Sequence, residues 1–270
     1  MNSSPLAILL FAVLLVAACG TGEDDDRQRG AELVERVRAA HGSARLVHAE
    51  VTFTFRGDRF VAARDGGRFS YARHHVDTTG VRVVDILDNE GVRRQRGGEE
   101  VDLTLRERNS VETVVNSVIY FALLPYNLAD EAVEPRWRGE DTVRGEPFDL
   151  LEVTFRPDGG GRDWEDRFIY WVHRQRGTMD YLAYDFHTGD GGTRFREAYN
   201  VREVDGVLFQ DYRNYSADHL DETPPLEGYA ALFERAQLEL VSEVEIEDVR
   251  VRRLDVAGGV GDPSVALLAE

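Results

Sequence analysis

The sequence contains no lysine, so arginine supplies all of its fixed positive charge. Its 32 basic residues are set against 50 aspartates and glutamates, which gives a formal net charge of -18. An acidic excess of this size repels phosphate backbones and therefore argues against a nucleic-acid partner. It also argues against electrostatic attachment to anionic lipid headgroups.

Cysteine is nearly absent as well, because Cys19 is the only one and can form no intramolecular disulfide. An apolar run over residues 6–16 precedes it. A bilayer-spanning helix needs about 20 such residues, so this run has the length of a secretory signal instead. Residues 16–19 (VAAC) resemble the bacterial lipobox, in which a peptidase cuts before a diacylated cysteine.

The lipobox resemblance implies that residues 1–18 are a lipoprotein signal peptide and that a lipid on Cys19 attaches the protein to a membrane. Residues 1–5 depart from the usual pattern because they contain no lysine or arginine. An ordinary signal peptide with an incidental cysteine is the alternative. We expect the acidic residues 19–27 to form an extended tether, since they cannot bury apolar surface.

Apolar and polar residues alternate through most of the remaining chain, which is typical of half-buried strands. Phe53 and Phe55, for example, share a face with Val47, Ala49 and Val51. About a dozen such segments follow one another with short turns, and Asp205-Gly206 gives the clearest hairpin signal. The pattern predicts a mainly β fold, a single curved antiparallel sheet or open half-barrel over residues 28–255. The glycine-rich residues 256–270 are expected to form a loose C-terminal tail.

Two or three helices are expected to pack at the concave face of this sheet. The first covers residues 31–40, and the second covers residues 111–124 and ends at Pro125. Asn109 and Glu112 fit a capping box for the second helix, and a short strand is expected just before it, at residues 101–105. Near the C-terminus, the alternation changes phase and predicts a bulge at Glu247-Asp248.

The order of elements resembles the lipoprotein-carrier fold of bacterial envelopes, the LolA/LolB-like superfamily. The resemblance rests on residues 116–130 (NSVIYFALLPYNLAD), 166–171 (DRFIYW), 179–184 (MDYLAY) and 194–207 (RFREAYNVREVDGV). These segments are similar to those of an uncharacterised lipoprotein family within that superfamily. The resemblance implies a half-barrel whose mouth is plugged by helices, and it carries no reaction, cofactor or catalytic residue.

Motifs for catalysis or metal binding are not apparent. His74, His75 and Asp77 are the densest group of metal-binding residue types, but neighbouring strand residues point to opposite faces. Residues 159–161 are glycine-rich without the lysine of a phosphate-binding loop, and no nucleophile elbow is present. We therefore predict no catalytic residue, no metal, no cofactor and no enzymatic activity.

A candidate ligand site follows from the second helix, whose apolar stripe should face the sheet. We predict that this stripe and two sheet residues line an apolar cavity; the residues are Val111, Val114, Val115, Val118, Ile119, Ala122, Phe53 and Phe55. The predicted ligand is a lipid acyl chain, a lipoprotein or another apolar small molecule. The alternative is a structural or protein-interaction module of the cell envelope with a solid core, bound to an envelope protein partner.

The expected location is the cell envelope. Gly20 follows Cys19 in place of the aspartate associated with inner-membrane retention, which favours the outer membrane, facing the periplasm. The acidic residues 23–26 resemble surface-export signals of some bacterial groups, so exposure at the cell surface stays open.

Overall fold

The computed structural model describes residues 21–159, 161, 164–187 and 191–254. The predicted signal peptide, Cys19 and the predicted tail over residues 256–270 lie outside the described residues. Among the described residues, no helix combines the length and the apolar composition needed to cross a bilayer.

Fourteen strands of the described chain form two antiparallel sheets with seven strands each. In spatial order, the first sheet contains β14 (Glu247–Arg253), β1 (His48–Phe55), β2 (Asp58–Asp65), β3 (Arg68–Val76), β4 (Arg82–Asp88), β5 (Gly91–Arg96) and β6 (Glu99–Glu100). The second contains β13 (Glu239–Val244), β12 (Val207–Ser216), β11 (Gly192–Val204), β10 (Met179–Phe186), β9 (Arg167–His173), β8 (Glu146–Phe155) and β7 (Val133–Val143).

The predicted open, mainly β antiparallel fold is confirmed, with its strands divided between two hydrogen-bonded sheets where one continuous sheet was expected. The chain passes from one sheet to the other at the C-terminal segment where the alternation of apolar residues changes phase. The chain leaves β13 at the edge of the second sheet, and after residues 245–246 it enters β14 at the edge of the first. The predicted bulge is confirmed, because Asp248 has φ 53° and the β1–β14 register shifts there.

The first helix, α1 (Thr21–Ala40), begins well before the predicted start. The acidic residues 21–27, which we expected to be extended, belong to its first turns, so this expectation was wrong. Glu23 and Asp24 lie in the first turn, where carboxylates interact favourably with the positive end of the helix dipole. The helix packs on β7, and a Cβ on Gly30 would lie 2.7 Å from the Cα of Arg136.

The second helix, α2 (Leu105–Ala122), also starts earlier than predicted. Its capping box is formed by Thr104 and Glu107, so the predicted box at Asn109 and Glu112 was wrong. The predicted strand at residues 101–105 was wrong as well. Residues 101–104 lead into α2, which begins at Leu105. The side chain of Leu105 is 75% exposed, so it does not pack against a sheet as an apolar strand residue would.

The third helix, α3 (Tyr229–Glu234), lies on the opposite side of the second sheet from the other two. Tyr229 and Ala230 cover the outer face of that sheet in a cluster with Trp171 and Phe195. The inner faces of the two sheets carry the larger clusters, which α1 and α2 cover. The predicted placement at the concave face therefore holds for α1 and α2 only.

Candidate functional site

A cavity of about 740 Å³ lies between the inner faces of the two sheets, beside α2. This volume falls in the range of about 300–1,000 Å³ found for small-molecule sites. Ring side chains from both sheets and from α2 dominate its wall, and they are Phe55, Phe69, Tyr71, Tyr120, Phe121, Phe155, Phe168, Tyr184, Phe186 and Tyr212.

Strand alternation aligns the aromatic wall on the second sheet. Phe168 of β9 and Tyr184 of β10 are register partners, and their rings stack with centroids 5.3 Å apart. Phe121 of α2 closes on this pair, 5.3 Å from the Tyr184 ring. Such contacts fix the ring orientations, so this part of the cavity has a defined apolar surface.

Arg196 of β11 places a buried guanidinium on the same wall. The residue is 8% exposed, and its Nη2 donates a hydrogen bond of 2.9 Å to the Tyr184 hydroxyl. No group in the described ranges accepts a hydrogen bond from its Nε or Nη1. Its Cζ lies 3.8 Å above the Phe121 ring centroid, and the Tyr184 and Tyr212 rings are 5.2 and 5.8 Å away.

The surroundings of Arg196 only partly compensate for the removal of its charge from water. Burial of an unpaired ion costs several kcal/mol, whereas a cation–π contact contributes about 0.5–2 kcal/mol. A guanidinium stays protonated under all ordinary conditions, so it cannot escape this cost by losing its proton. The cavity therefore contains a permanent positive charge with two unused hydrogen-bond donor groups.

Two other charged groups of the wall have polar neighbours. Arg64 donates a hydrogen bond of 2.6 Å from Nε to the Tyr71 hydroxyl, and its Cζ lies 4.6 Å from the Tyr126 ring centroid. Burial raises the pKa of Asp130, while the charges of Arg64 and Arg38 oppose that effect. A third residue of the wall, Tyr212, is uncharged. Burial raises the pKa of Tyr212 to about 12, so its hydroxyl stays neutral.

The structure separates the predicted ligand-lining residues into two groups. Phe55, Val118 and Ala122 lie on the cavity wall. The others lie away from that wall: Val114 is half-buried, and the core between α2 and the first sheet contains Phe53, Val111, Val115 and Ile119. Most of the apolar stripe of α2 thus packs as core, and the expected polar side, with Thr113, Asn116, Ser117 and Tyr120, borders the cavity together with Val118 and Ala122.

Arg196 was not among the residues singled out from the sequence. The available signal was weak: in the segment RFREA at residues 194–198, the two arginines share a face with Ala198. Phe195 and Glu197 lie on the other face, whose cluster α3 covers. A strand with arginines on its inner face suggests a charged site, but exposed arginines on a half-buried strand produce the same pattern.

The histidine pair of β3 is divided between the two faces of the first sheet. His75 Nε2 lies 3.3 Å from Asp85 Oδ2. His74 is buried on the opposite face, and neither of its ring nitrogens is hydrogen-bonded to a described residue. Across the described ranges, no three His, Cys, Asp or Glu side chains are grouped as metal ligands.

A model of a family of unknown function, DUF6503, matches residues 49–246 of the chain. The matched residues include all or part of β1 to β13, but not β14. They also include all of the cavity wall described above. No curated protein matches the sequence.

Several solved structures are similar to this chain. A DUF1329 family protein from Desulfovibrio piger is 13% identical, with a TM-score of 0.39 over 88% of this chain and 95% of that one. A domain from Vibrio parahaemolyticus assigned to outer membrane lipoprotein sorting is 8% identical, with a TM-score of 0.43 over 87% and 95%. The lipoprotein LppX from Mycobacterium tuberculosis is 8% identical, with a TM-score of 0.27 over 58% and 90%. These likenesses concern the fold alone.

Proposed function

The chain belongs to DUF6503, a family of unknown function, and we propose that it is an envelope lipoprotein whose cavity binds an apolar ligand such as a lipid acyl chain. One observation carries this proposal. The space between the sheets is not filled by side chains, and its wall is mainly aromatic and aliphatic. Concave, largely preformed apolar cavities with a few polar groups are the usual form of small-molecule sites.

The alternative from the sequence, an interaction module with a solid core, accounts less well for this cavity. In a solid core, Phe155, Phe168 and Phe186 would meet packed neighbours on every side, because protein interiors are close-packed. Here these rings border open space instead. The filled core that such a module needs is found between α2 and the first sheet and under α3, but it does not extend through the space between the two sheets.

Attachment through a lipid on Cys19 forms the second part of the proposal. It is supported by the apolar run, the small residues and the single cysteine of the N-terminus. A diacylated and N-acylated cysteine supplies the two or more hydrophobic anchors that stable membrane attachment requires. The proposed location is the outer membrane, facing the periplasm.

The test uses a neutral probe, so that only apolar binding is measured. N-phenylnaphthylamine fluorescence should rise on addition of the delipidated protein and saturate. Organic extracts of protein purified without delipidation should contain lipid in stoichiometric amount. Repeated failure of both measurements would refute the proposed function, whatever the fold.

A further inference from the structure

We propose that the ligand of the cavity is a single-chain amphiphile with a carboxylate at one end, and that Arg196 binds this carboxylate. The inference rests on the proposed function, because it assigns a chemical class to the ligand of the same cavity. Its starting point is the buried guanidinium whose Nε and Nη1 lack an acceptor among the described residues.

The nearby arginines show how unusual Arg196 is. On the same inner face of β11, Arg194 lies 3.2 Å from Asp218, and farther along the strand Arg202 lies 3.2 Å from Asp211. Arg213 of β12, on the outer face, lies 3.5 Å from Glu197. Within the described part of the chain, no carboxylate forms an ion pair with Arg196, although it is more deeply buried than these three.

Neutral donors next to Arg196 fit an oxyanion. The Tyr184 hydroxyl accepts a hydrogen bond from Arg196 Nη2, which leaves its own proton to donate. The Tyr212 hydroxyl accepts a hydrogen bond of 2.7 Å from Gln210 Nε2 in the same way. Guanidinium groups donate strong, charge-assisted hydrogen bonds to carboxylates, and the Nε and Nη1 of Arg196, on opposite edges of the group, are each unused among the described residues.

The apolar part of the cavity wall favours a ligand with an alkyl chain attached to the carboxylate. Phe121 borders the cavity in contact with Arg196, and Phe155, Phe168, Phe186 and Val244 extend the apolar surface. A small inorganic anion would leave these side chains without a partner. The net charge of -18 also disfavours polyvalent anions, because repulsion grows with the charge of the ligand. A monovalent carboxylate satisfies both conditions.

The experiment compares dodecanoate with dodecanol as competitors of N-phenylnaphthylamine at about pH 8, where the free acid is ionised. The wild type should require about tenfold less dodecanoate than dodecanol, as a charge-assisted hydrogen bond predicts. Arg196→Met should abolish this preference and retain dodecanol binding. Arg213→Met, which removes a paired arginine from the outer face, should leave the preference as in the wild type.

Two further competitors distinguish the source of the anion. Dodecyl phosphate should compete more weakly than dodecanoate, and inorganic phosphate should not compete at all. Equal or stronger competition by dodecyl phosphate would overturn the carboxylate assignment, and displacement by inorganic phosphate would overturn the amphiphile.

Failure of this inference differs from failure of the proposed function. If the wild type binds the probe and takes up acid and alcohol equally, or if Arg196→Met keeps the preference, the carboxylate site is refuted and apolar binding stands. If the probe does not bind, the proposed function itself fails.

If Arg196→Met does not fold, the carboxylate site can be tested with wild-type protein alone. NMR of dodecanoate labelled with ¹³C at the carboxyl group measures the carboxyl pKa of the bound ligand. A lowered carboxyl pKa in the complex supports the site, and a pKa equal to that of free dodecanoate refutes it.

Discussion

The carboxylate of Asp211 accepts a hydrogen bond of 3.0 Å from the backbone N–H of Ile246. Ile246 lies in the short link between β13 and β14, where the chain passes from one sheet to the other. Arg202 joins the same cluster, because it donates to the Asp211 carboxylate and to the carbonyl oxygen of Ile246. This group of three residues therefore holds the two sheets together at the crossing point of the chain.

Replacement of Asp211 with alanine should destabilise the protein strongly. Asp211 is 2% exposed, and its loss would leave Arg202 and the Ile246 N–H without their acceptor. We expect the free energy of unfolding in urea to fall by about 3 kcal/mol. Asp102→Ala, at an exposed position, serves as the control and should change it by about 0.5 kcal/mol or less. A loss for Asp211→Ala no larger than that of the control would show that the cluster does not secure the two sheets.

The capping box of α2 gives a second prediction. The Thr104 hydroxyl accepts from the Glu107 N–H, and the Glu107 carboxylate accepts from the Thr104 N–H. Thr104→Ala should lower the free energy of unfolding by about 1 kcal/mol. Asn109→Ala, inside the helix, should be neutral or slightly stabilising, because alanine has the higher helix propensity. The opposite ranking of the two variants would place the helix start at Asn109.

The third prediction concerns pH and His41, which is 1% exposed. Its Nε2 accepts a hydrogen bond from the Met179 N–H, which requires the neutral ring, and burial lowers the pKa of His41 to about 4. In the unfolded chain the pKa is near 6.5, so the unfolded state takes up a proton first as the pH falls. The contribution of neutral His41 to the free energy of unfolding is therefore fully present above about pH 6.5. It is lost progressively below that pH, by about 2 kcal/mol at pH 5.

His41→Gln should reduce the loss of stability between pH 7 and pH 5 by about 2 kcal/mol, because the amide oxygen can accept from Met179 without titrating. Urea denaturation at both pH values measures the difference. His219 is exposed, and His219→Gln should reproduce the wild-type loss. An unchanged pH dependence in His41→Gln would mean that other groups account for it.

Val118 and Val114 form a matched pair on α2 for testing the cavity. Val118 lies on the cavity wall, whereas Val114 is half-buried away from it. Val118→Trp should fill part of the cavity and weaken N-phenylnaphthylamine binding about tenfold or more. The melting temperature should change little, because the indole enters open space, whereas overpacking of a solid core costs about 1–3 kcal/mol. Val114→Trp should bind the probe like the wild type, and equal binding by both variants would contradict the assigned wall.

The fifth prediction concerns Cys19. The intact mass of membrane-extracted protein should correspond to a chain that begins at Cys19 and carries a diacylglycerol and an N-acyl chain. Cys19→Ala should yield a protein that fractionates away from membranes. An unmodified N-terminus at any other residue would refute lipid attachment.

Much of the fold could be predicted because it depends on local patterns. Alternation located most of the strands, and the hairpin at Asp205-Gly206 forms as predicted, with both residues at positive φ. The start of α2 could not be decided locally, since two possible capping boxes lie five residues apart. The division into two sheets depends on which strands pair across the sequence, a tertiary property that alternation does not encode.

The candidate site was less accessible to sequence analysis than the fold. The stripe of α2 was correctly identified as apolar, but most of it packs against the first sheet, and only Val118 and Ala122 of the stripe reach the cavity wall. Arg196 is distinctive only because no described residue accepts a hydrogen bond from its Nε or Nη1, which depends on the tertiary structure. Its sequence neighbours are equally compatible with an exposed arginine.

The early start of α1 would change the mechanics of the proposed membrane attachment. Cys19 precedes Thr21 by two residues, so a lipid there would be at most about 7 Å of chain from the first helical residue. Gly30 packs against β7. The nine residues before it form a mostly exposed helical segment about 13 Å long. This rigid helical segment would then set both the height of the domain above the bilayer and the orientation of the cavity. Residues inserted into the segment would rotate the whole domain about the helix axis as well as move it away from the bilayer.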